Sequence, residues 1–334
     1  MRATIKDVSR EAGVSIKTVS RVLNKERYVG AETRARVERI VAALNFRPNT
    51  AARSLAGRRS FQVALICDNP SPYYVYEMQA GVRARCEAEG VRMLAQPYDR
   101  HADTLVDLVG ALVDTTHLDG LILTPTASDD EALLDLLDRR SLRVVRVAPV
   151  ARPGTTAASL LDNQAAAAAM TERLIALGHR RIGFVAGHPD YANSGLRTAG
   201  YRSAMAAAGL AVDETLLVEG AFDFASGARA GAAMLGHPYP PTAIFAASDD
   251  MAAGVLAAAH RLGVALPGEL SVAGFGDDAL AGYVWPPLTT VRQPTRQLGW
   301  EAADLLLAGK PGSTEQRQTA FALVERASTA RVSR

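Results

Sequence analysis

From Phe61 onward, short apolar runs alternate with Ala-rich amphipathic segments, and the series occurs twice. Gln62-Val63-Ala64-Leu65-Ile66, Gly120-Leu121-Ile122-Leu123-Thr124 and Leu142-Arg143-Val144-Val145-Arg146-Val147 make the first set. Arg181-Ile182-Gly183-Phe184-Val185-Ala186, Ala243-Ile244-Phe245-Ala246-Ala247 and Leu270-Ser271-Val272-Ala273-Gly274-Phe275 make the second, displaced by about 120 to 128 residues. Apolar strands spaced by helical segments are the pattern of parallel α/β sheets covered by helices. Gln164 to Leu177, Arg197 to Ala208 and Met251 to Leu262 are the expected covering helices. A repeat of this length predicts two similar α/β subdomains.

Ligands of open parallel sheets bind outside the carboxyl ends of the strands. The residues there are polar and aromatic: Asp68-Asn69-Pro70-Ser71-Pro72-Tyr73-Tyr74 after the first strand, then Ser248-Asp249-Asp250 and Gly276-Asp277-Asp278 in the second half. Two halves facing each other across such loops form a cleft that can close on a small polar molecule. Asp249 is equally placed to cap the helix that follows it.

The first sixty residues are of another kind. They carry 14 Lys+Arg against 5 Asp+Glu, whereas the remainder carries 23 against 30, so a net charge of +2 conceals a basic head on an acidic body. Phosphate attraction supplies most non-specific nucleic-acid binding, and this asymmetry points to such a partner. Three apolar blocks at helical spacing give the head a small core. Thr4 with Asp7 three residues on reads as a capping box, and the helix runs to Ala12 before Gly13 ends it. Ser15 caps a second helix that turns Val19, Val22 and Leu23 inward. Two short helices around a glycine turn make a helix-turn-helix. A third, Glu32 to Leu44, completes the core through Val37, Ile40, Val41 and Leu44.

The first turns of the second helix are what such a motif places in the major groove. Lys17 and Arg21 can donate to guanine O6 and N7, and Ile16 can pack on a thymine methyl. Thr18, Ser20 and Asn24 are short donors suited to phosphates, which fix register. Phe46-Arg47-Pro48-Asn49 breaks the pattern, and Asn49 can cap a short helix from Thr50 to Ala56 before the linker Gly57-Arg58-Arg59-Ser60.

Ile5-Lys6-Asp7-Val8, Ala12-Gly13-Val14-Ser15, Thr18-Val19-Ser20-Arg21-Val22-Leu23-Asn24 and Arg47-Pro48-Asn49 through Leu55 closely resemble the headpiece of the LacI/GalR family of bacterial transcription regulators. Gly178-His179-Arg180-Arg181-Ile182, Arg197-Thr198-Ala199-Gly200-Tyr201, Ser271-Val272-Ala273-Gly274-Phe275 and Pro286-Pro287-Leu288-Thr289-Thr290-Val291 resemble segments of its regulatory core, in family order. The resemblance runs from residue 3 to about 328. It implies a helix-turn-helix headpiece over 1–46, a hinge helix and linker over 47–60, and a two-subdomain core of the periplasmic-binding-protein type I fold over 61–334. The first subdomain is expected over about 61–158 and 292–320, the second over about 159–291 and 321–330.

By that resemblance Ile16, Lys17 and Arg21 read bases, and Leu55 is the hinge-helix wedge inserted at a minor-groove step; read alone, Leu55 is a small core contact. Thr4, Ser15, Thr18, Ser20, Asn24, Tyr28, Asn49 and Ala52 fall at DNA-backbone positions. Arg197 matches the effector-binding arginine, Phe222 the ring packed on the effector, and Tyr73 and Tyr74 an aromatic loop; Asn69, Ser248, Asp249 and Asp277 complete the expected set. Ser248 stands where the family often has Asn, and Gly276 where the first of two Asp residues usually lies. A site missing an amide and a carboxylate pairs different ligand groups, so effector identity does not carry over.

Other function classes fit less well. Gly274-Phe275-Gly276-Asp277-Asp278-Ala279 matches a dinucleotide fingerprint in form, but Ala281-Gly282-Tyr283-Val284-Trp285-Pro286-Pro287 cannot open the long helix it requires. There is no P-loop, H-E-x-x-H, C-x-x-C or G-x-S-x-G, and six scattered histidines give no metal spacing. No window approaches the roughly 18 consecutive apolar residues of a membrane span. Two cysteines and a charged start without an apolar leader suggest a reducing, cytoplasmic setting. A free sugar-binding protein would suit the cleft but not the basic head.

The sequence therefore predicts a sequence-specific DNA-binding regulator, a repressor, with no cofactor. Its expected partners are double-stranded operator DNA, a small-molecule effector, foremost a carbohydrate, and a second copy of itself, with no membrane. A nucleobase or sugar phosphate is the alternative effector. The end of the chain after Val324-Glu325-Arg326 carries no leucine heptads, which favours a dimer over a tail-linked tetramer.

Overall fold

The computed structural model describes residues 3–23, 28–46, 60–99 and 104–332. They fall into two bodies, residues 1–61 and 62–334.

In the first body α1 (Ile5–Ala12), α2 (Ile16–Leu23) and α3 (Ala31–Ala43) pack around Val8, Ala12, Val19, Val22, Val37 and Phe46. The Thr4 amide donates to Asp7 Oδ2 at 2.9 Å, while Thr4 Oγ1 accepts from the Asp7 amide at 3.4 Å. This reciprocal cap satisfies two donors that the first turn otherwise leaves open. Gly13, at φ 61°, closes α1 with its N–H on the Ser9 and Arg10 carbonyls. Ser15 Oγ accepts from the Thr18 amide at 3.1 Å and starts α2. The third helix begins at Ala31 and ends at Ala43, a residue early at each end.

The second body holds two six-stranded sheets. Its elements in order are β1 (Gln62–Cys67), α4 (Pro72–Ala88), β2 (Arg92–Pro97), α5 (Leu105–Thr115), β3 (Gly120–Leu123), α6 (Glu131–Arg139), β4 (Val144–Val147) and β5 (Ala157–Leu161). Then follow α7 (Asn163–Ala176), β6 (Ile182–Ala186), α8 (Ala192–Ala207), β7 (Leu217–Glu219), α9 (Phe224–Leu235), β8 (Ala243–Ala246), α10 (Asp249–Leu262), β9 (Ser271–Gly276) and α11 (Ala279–Tyr283). The chain finishes with β10 (Thr289–Arg292), α12 (Thr295–Ala308), β11 (Gln316–Thr319) and β12 (Ala322–Val324).

The first sheet runs β11-β5-β4-β3-β1-β2 and the second β12-β10-β9-β8-β6-β7. Among the described residues the strand pairings are parallel except β10 with β12. The chain thus crosses between lobes after β5, again after β10 and again between β11 and β12. The expected boundary at residue 158 cuts through β5; the whole strand to Leu161 belongs to the first sheet, because it pairs with β4 and β11. Helix α8 also starts at Ala192 rather than Arg197, which moves Arg197 from a helix end to its second turn.

Fully buried Leu65, Ile66, Leu121, Ile122 and Leu123 fill the first lobe, and Phe184, Tyr201 and Phe245 the second. Phe184 stacks on Tyr201 at 4.9 Å, and the Tyr201 hydroxyl donates to the Ile182 carbonyl at 2.7 Å, so the one polar atom of that ring is satisfied in the core. Among the described residues no helix is long and apolar enough to cross a membrane.

Candidate functional site

On α2 the apolar stripe faces the headpiece core and leaves the opposite side open. Ile16 is 44% exposed, Lys17 is exposed, and Thr18, Ser20 and Arg21 are half-buried. Positions 16, 17, 20 and 21 share one helical face. The Ser15 and Thr18 hydroxyls lie 2.9 Å apart, so both are engaged at the helix start, and Thr4 is likewise occupied by its cap. Tyr28 is 91% exposed. Asn24, Asn49, Ala52 and Leu55 lie outside the described residues.

In the second body a narrow cavity of about 60 Å³ lies between the carboxyl ends of the two sheets. Arg197 lies at its floor, 8% exposed. Nε donates to Asn163 Oδ1 at 2.9 Å, Nη1 to the Ala247 carbonyl at 2.6 Å and Nη2 to Gln293 Oε1 at 3.3 Å. Its guanidinium sits 3.7 Å from the Phe275 ring centroid and 5.9 Å from that of Phe222. Burial pulls the Arg197 pKa down to about 10, which leaves it cationic at neutral pH. Two aromatic faces and three acceptors hold the charge in place without a carboxylate, and unused N–H donors remain.

Of the residues expected at the ligand, Asn69, Tyr74, Arg197, Phe222 and Ser248 line this cavity. Asn69 Oδ1 accepts from the Ser71 amide at 2.8 Å and shapes the loop after β1. Phe222 meets Tyr191 edge-on at 5.2 Å. Ser248 caps α10, its hydroxyl accepting from the Met251 amide at 3.2 Å.

Tyr73, Asp249 and Asp277 do not line it. Asp249 is fully buried one residue inside α10: Oδ1 accepts from the Thr290 hydroxyl at 2.6 Å and Oδ2 from the Asp278 amide at 2.9 Å. It is neither the helix cap nor a free carboxylate but a tie between the ends of β8, β9 and β10, and burial pushes its pKa up to about 6. Asp277 is gripped by Arg292 Nε at 2.6 Å and Arg326 Nη2 at 2.5 Å, which turn its carboxylate into a neighbouring groove shared with Tyr73. In each Asp-Asp pair the second member, Asp250 or Asp278, faces the cavity instead.

The cavity also gathers Asn163, Asn193, Tyr191, Phe275 and Gln293, which sequence reasoning missed. Asn163 follows β5 and Gln293 follows β10, two strands the sequence reading did not recognise, so the same carboxyl-end rule would have found both. Asn193 Nδ2 donates across the lobes to the Ala148 carbonyl at 3.0 Å. Among the described residues no group of His, Cys, Asp or Glu is arranged to hold a metal ion.

The family model for bacterial regulatory proteins, lacI family, matches residues 4–49, and that for a periplasmic binding protein-like domain matches residues 171–329. The HTH-type transcriptional repressor PurR of Vibrio campbellii is 34% identical over 310 residues, 91% of each chain. The chain belongs to the lacI family of bacterial regulatory proteins. Solved lacI-type structures agree. A transcriptional regulator CelR–cellobiose complex is 30% identical with a TM-score of 0.73, covering 98% of this chain and 100% of that one. The lac repressor dimer bound to operator and the anti-inducer ONPF is 27% identical with a TM-score of 0.79, covering 99% and 100%. As a lacI-family member the chain is a DNA-binding transcriptional regulator with an effector-binding core, not an enzyme.

Proposed function

We propose that this regulator acts in the cytoplasm as a homodimeric repressor on a pseudo-palindromic operator, and that a carbohydrate bound between its lobes sets operator affinity. Ile16, Lys17 and Arg21 read bases; Arg197, Phe222, Tyr74, Asn69 and Ser248 hold the effector. The observation that carries the reading is the cleft itself. Buried Arg197 is fixed by residues from three separate strand ends, beside rings and amides suited to a hydroxyl-rich molecule.

One headpiece reads too few base pairs for genomic specificity, and two related by a two-fold axis read inverted half-sites. Exposed Leu262, Tyr283 and Trp285 on the second lobe, whose segments are joined by His260 Nε2 and the Trp285 carbonyl at 2.8 Å, support association with a second copy. The similarity to the cellobiose complex supports a carbohydrate effector. The Phe222 ring also suits a nucleobase, which makes purines part of any ligand panel.

Thermal unfolding of the full chain against monosaccharides, disaccharides and nucleobases tests this. A ligand at a hundred times its dissociation constant stabilises by about 2.7 kcal/mol. Any stabilising compound should also change operator affinity; a compound that binds with no effect on DNA binding contradicts the regulatory reading.

A further inference from the structure

Three buried polar atoms in the second body lack a hydrogen-bond partner and belong to residues facing the same cavity: Ser71 Oγ, Tyr74 OH and Asp250 Oδ2. Ser71 and Tyr74 come from the first lobe, Asp250 from the second. Ser71 is only 6% exposed, and its hydroxyl lies near Asp250 without closing a bond of normal geometry. Buried polar groups in folded proteins are almost always paired, so orphans on both walls of one cavity mark where a ligand supplies the missing partners.

The backbone at Gly276 brings in a second acid. Its φ of 145° suits glycine, and a Cβ there would lie 3.1 Å from Asp249 Oδ2 and 3.2 Å from Asp278 Oδ2. The absent side chain leaves the space that the Asp278 carboxyl occupies at the cavity wall. Neither Asp250 nor Asp278 has a cationic partner among the ion pairs of the described residues, whereas Asp277 next door holds two arginines. Arg197 is the one cation among the lining residues. Once both acids are ionised, above neutral pH, two carboxylates against one guanidinium in a site shielded from water repel an anion and accept from donors.

We propose that Asp250 and Asp278 select the effector by charge: the cleft takes an uncharged or cationic molecule with adjacent hydroxyl or amine donors and rejects its phosphorylated or carboxylated analogue. This rests on the cleft being the effector site. It favours free over phosphorylated sugars, and Asp250 is its main determinant because its Oδ2 has no partner at normal hydrogen-bond geometry and lies beside the Ser71 hydroxyl of the opposite lobe.

Calorimetric titration of the full chain at pH 8 and fixed salt tests it, using glucose, ribose, cellobiose, glucosamine and hypoxanthine beside glucose 6-phosphate, ribose 5-phosphate and glucuronate. At least one neutral or amine compound should bind, its anionic counterpart at least tenfold more weakly. Asp250→Asn and Asp278→Asn should each narrow that gap threefold or more while keeping a cooperative thermal transition. Equal or tighter binding of an anionic counterpart, binding by none of the neutral or amine compounds, or an unchanged gap in both variants overturns the assignment. Phe222→Ser separates the two levels. If a bound compound keeps its affinity in that variant, the cleft is not the effector site; if affinity falls but anions are preferred, only the charge selection fails.

Discussion

The Tyr191 hydroxyl donates to Asp68 Oδ2 at 3.1 Å, joining residues from opposite lobes of the regulatory core. Asp68 is itself fixed on the first lobe, where Oδ1 accepts from Tyr98 at 3.1 Å and from Thr126 at 2.5 Å. A rigid acceptor on one side and a phenol at the start of α8 on the other make a latch across the cleft. Tyr191→Phe removes it and keeps the edge-on contact with Phe222. A bond of this kind is worth about 0.5–1.5 kcal/mol, so effector affinity should drop roughly three- to tenfold. Calorimetry reads this directly; unchanged affinity would mean that the latch plays no part in closure.

Arg197 combines a structural and a binding role. Arg197→Ala leaves Asn163, the Ala247 carbonyl and Gln293 short of a donor, and should destabilise the core by about 1–3 kcal/mol while abolishing the effector response. Operator affinity without effector should stay within about threefold of the parent in gel-shift assays. A variant that still responds at the same ligand concentration would place the effector elsewhere.

The acids behind the cleft give stability a pH dependence. Burial, then the neighbouring carboxyls of Asp249, Asp250, Glu77 and Asp277, pushes Asp278 up to about 7, and burial takes Asp249 to about 6. Unfolded, both titrate near 4. The native state therefore holds more protons between about pH 4 and 7, and stability contributed below pH 4 is lost as pH rises through 6 to 7. Melting temperature should fall from pH 5 to pH 8, and Asp278→Asn should raise it at pH 8 and flatten the slope. A flat profile in the parent chain would contradict the buried placement of Asp278.

In the headpiece, Thr4→Ala removes the capping box and should cost about 1 kcal/mol locally. Hydrogen exchange in the full chain should quicken at the amides of α1 and leave the core unchanged. Equal protection would show that the reciprocal bonds of Thr4 and Asp7 contribute nothing.

Arg21→Ala should cost about 1–3 kcal/mol of discrimination at one position of each half-site and relax base preference there. Binding-site selection with the variant measures it; an unchanged preference would move base reading to another register of α2.

How far the sequence carried depended on the range of the interactions involved. The headpiece was legible because its signals are local: Thr4 three residues before Asp7, Gly13 at a helix end, Ser15 capping α2. Six core strands showed as apolar runs, whereas β5 and β10, rich in Ala, Ser and Thr, did not, and with them went Asn163 and Gln293. The two Asp-Asp pairs show a different limit. Adjacent identical side chains give no clue to which faces the cleft; that is settled by Thr290 capturing Asp249 and by Arg292 and Arg326 capturing Asp277, partners far away in sequence.

The most direct test of the whole account is selection of bound duplexes from a random pool by the full chain, with and without a stabilising effector. One enriched motif of two inverted half-sites, centred one helical turn of roughly 10 base pairs apart or a multiple of it, is expected, with a recovery that changes when effector is added. A single asymmetric site, no enrichment over random DNA, or recovery indifferent to every ligand that binds the core would contradict it.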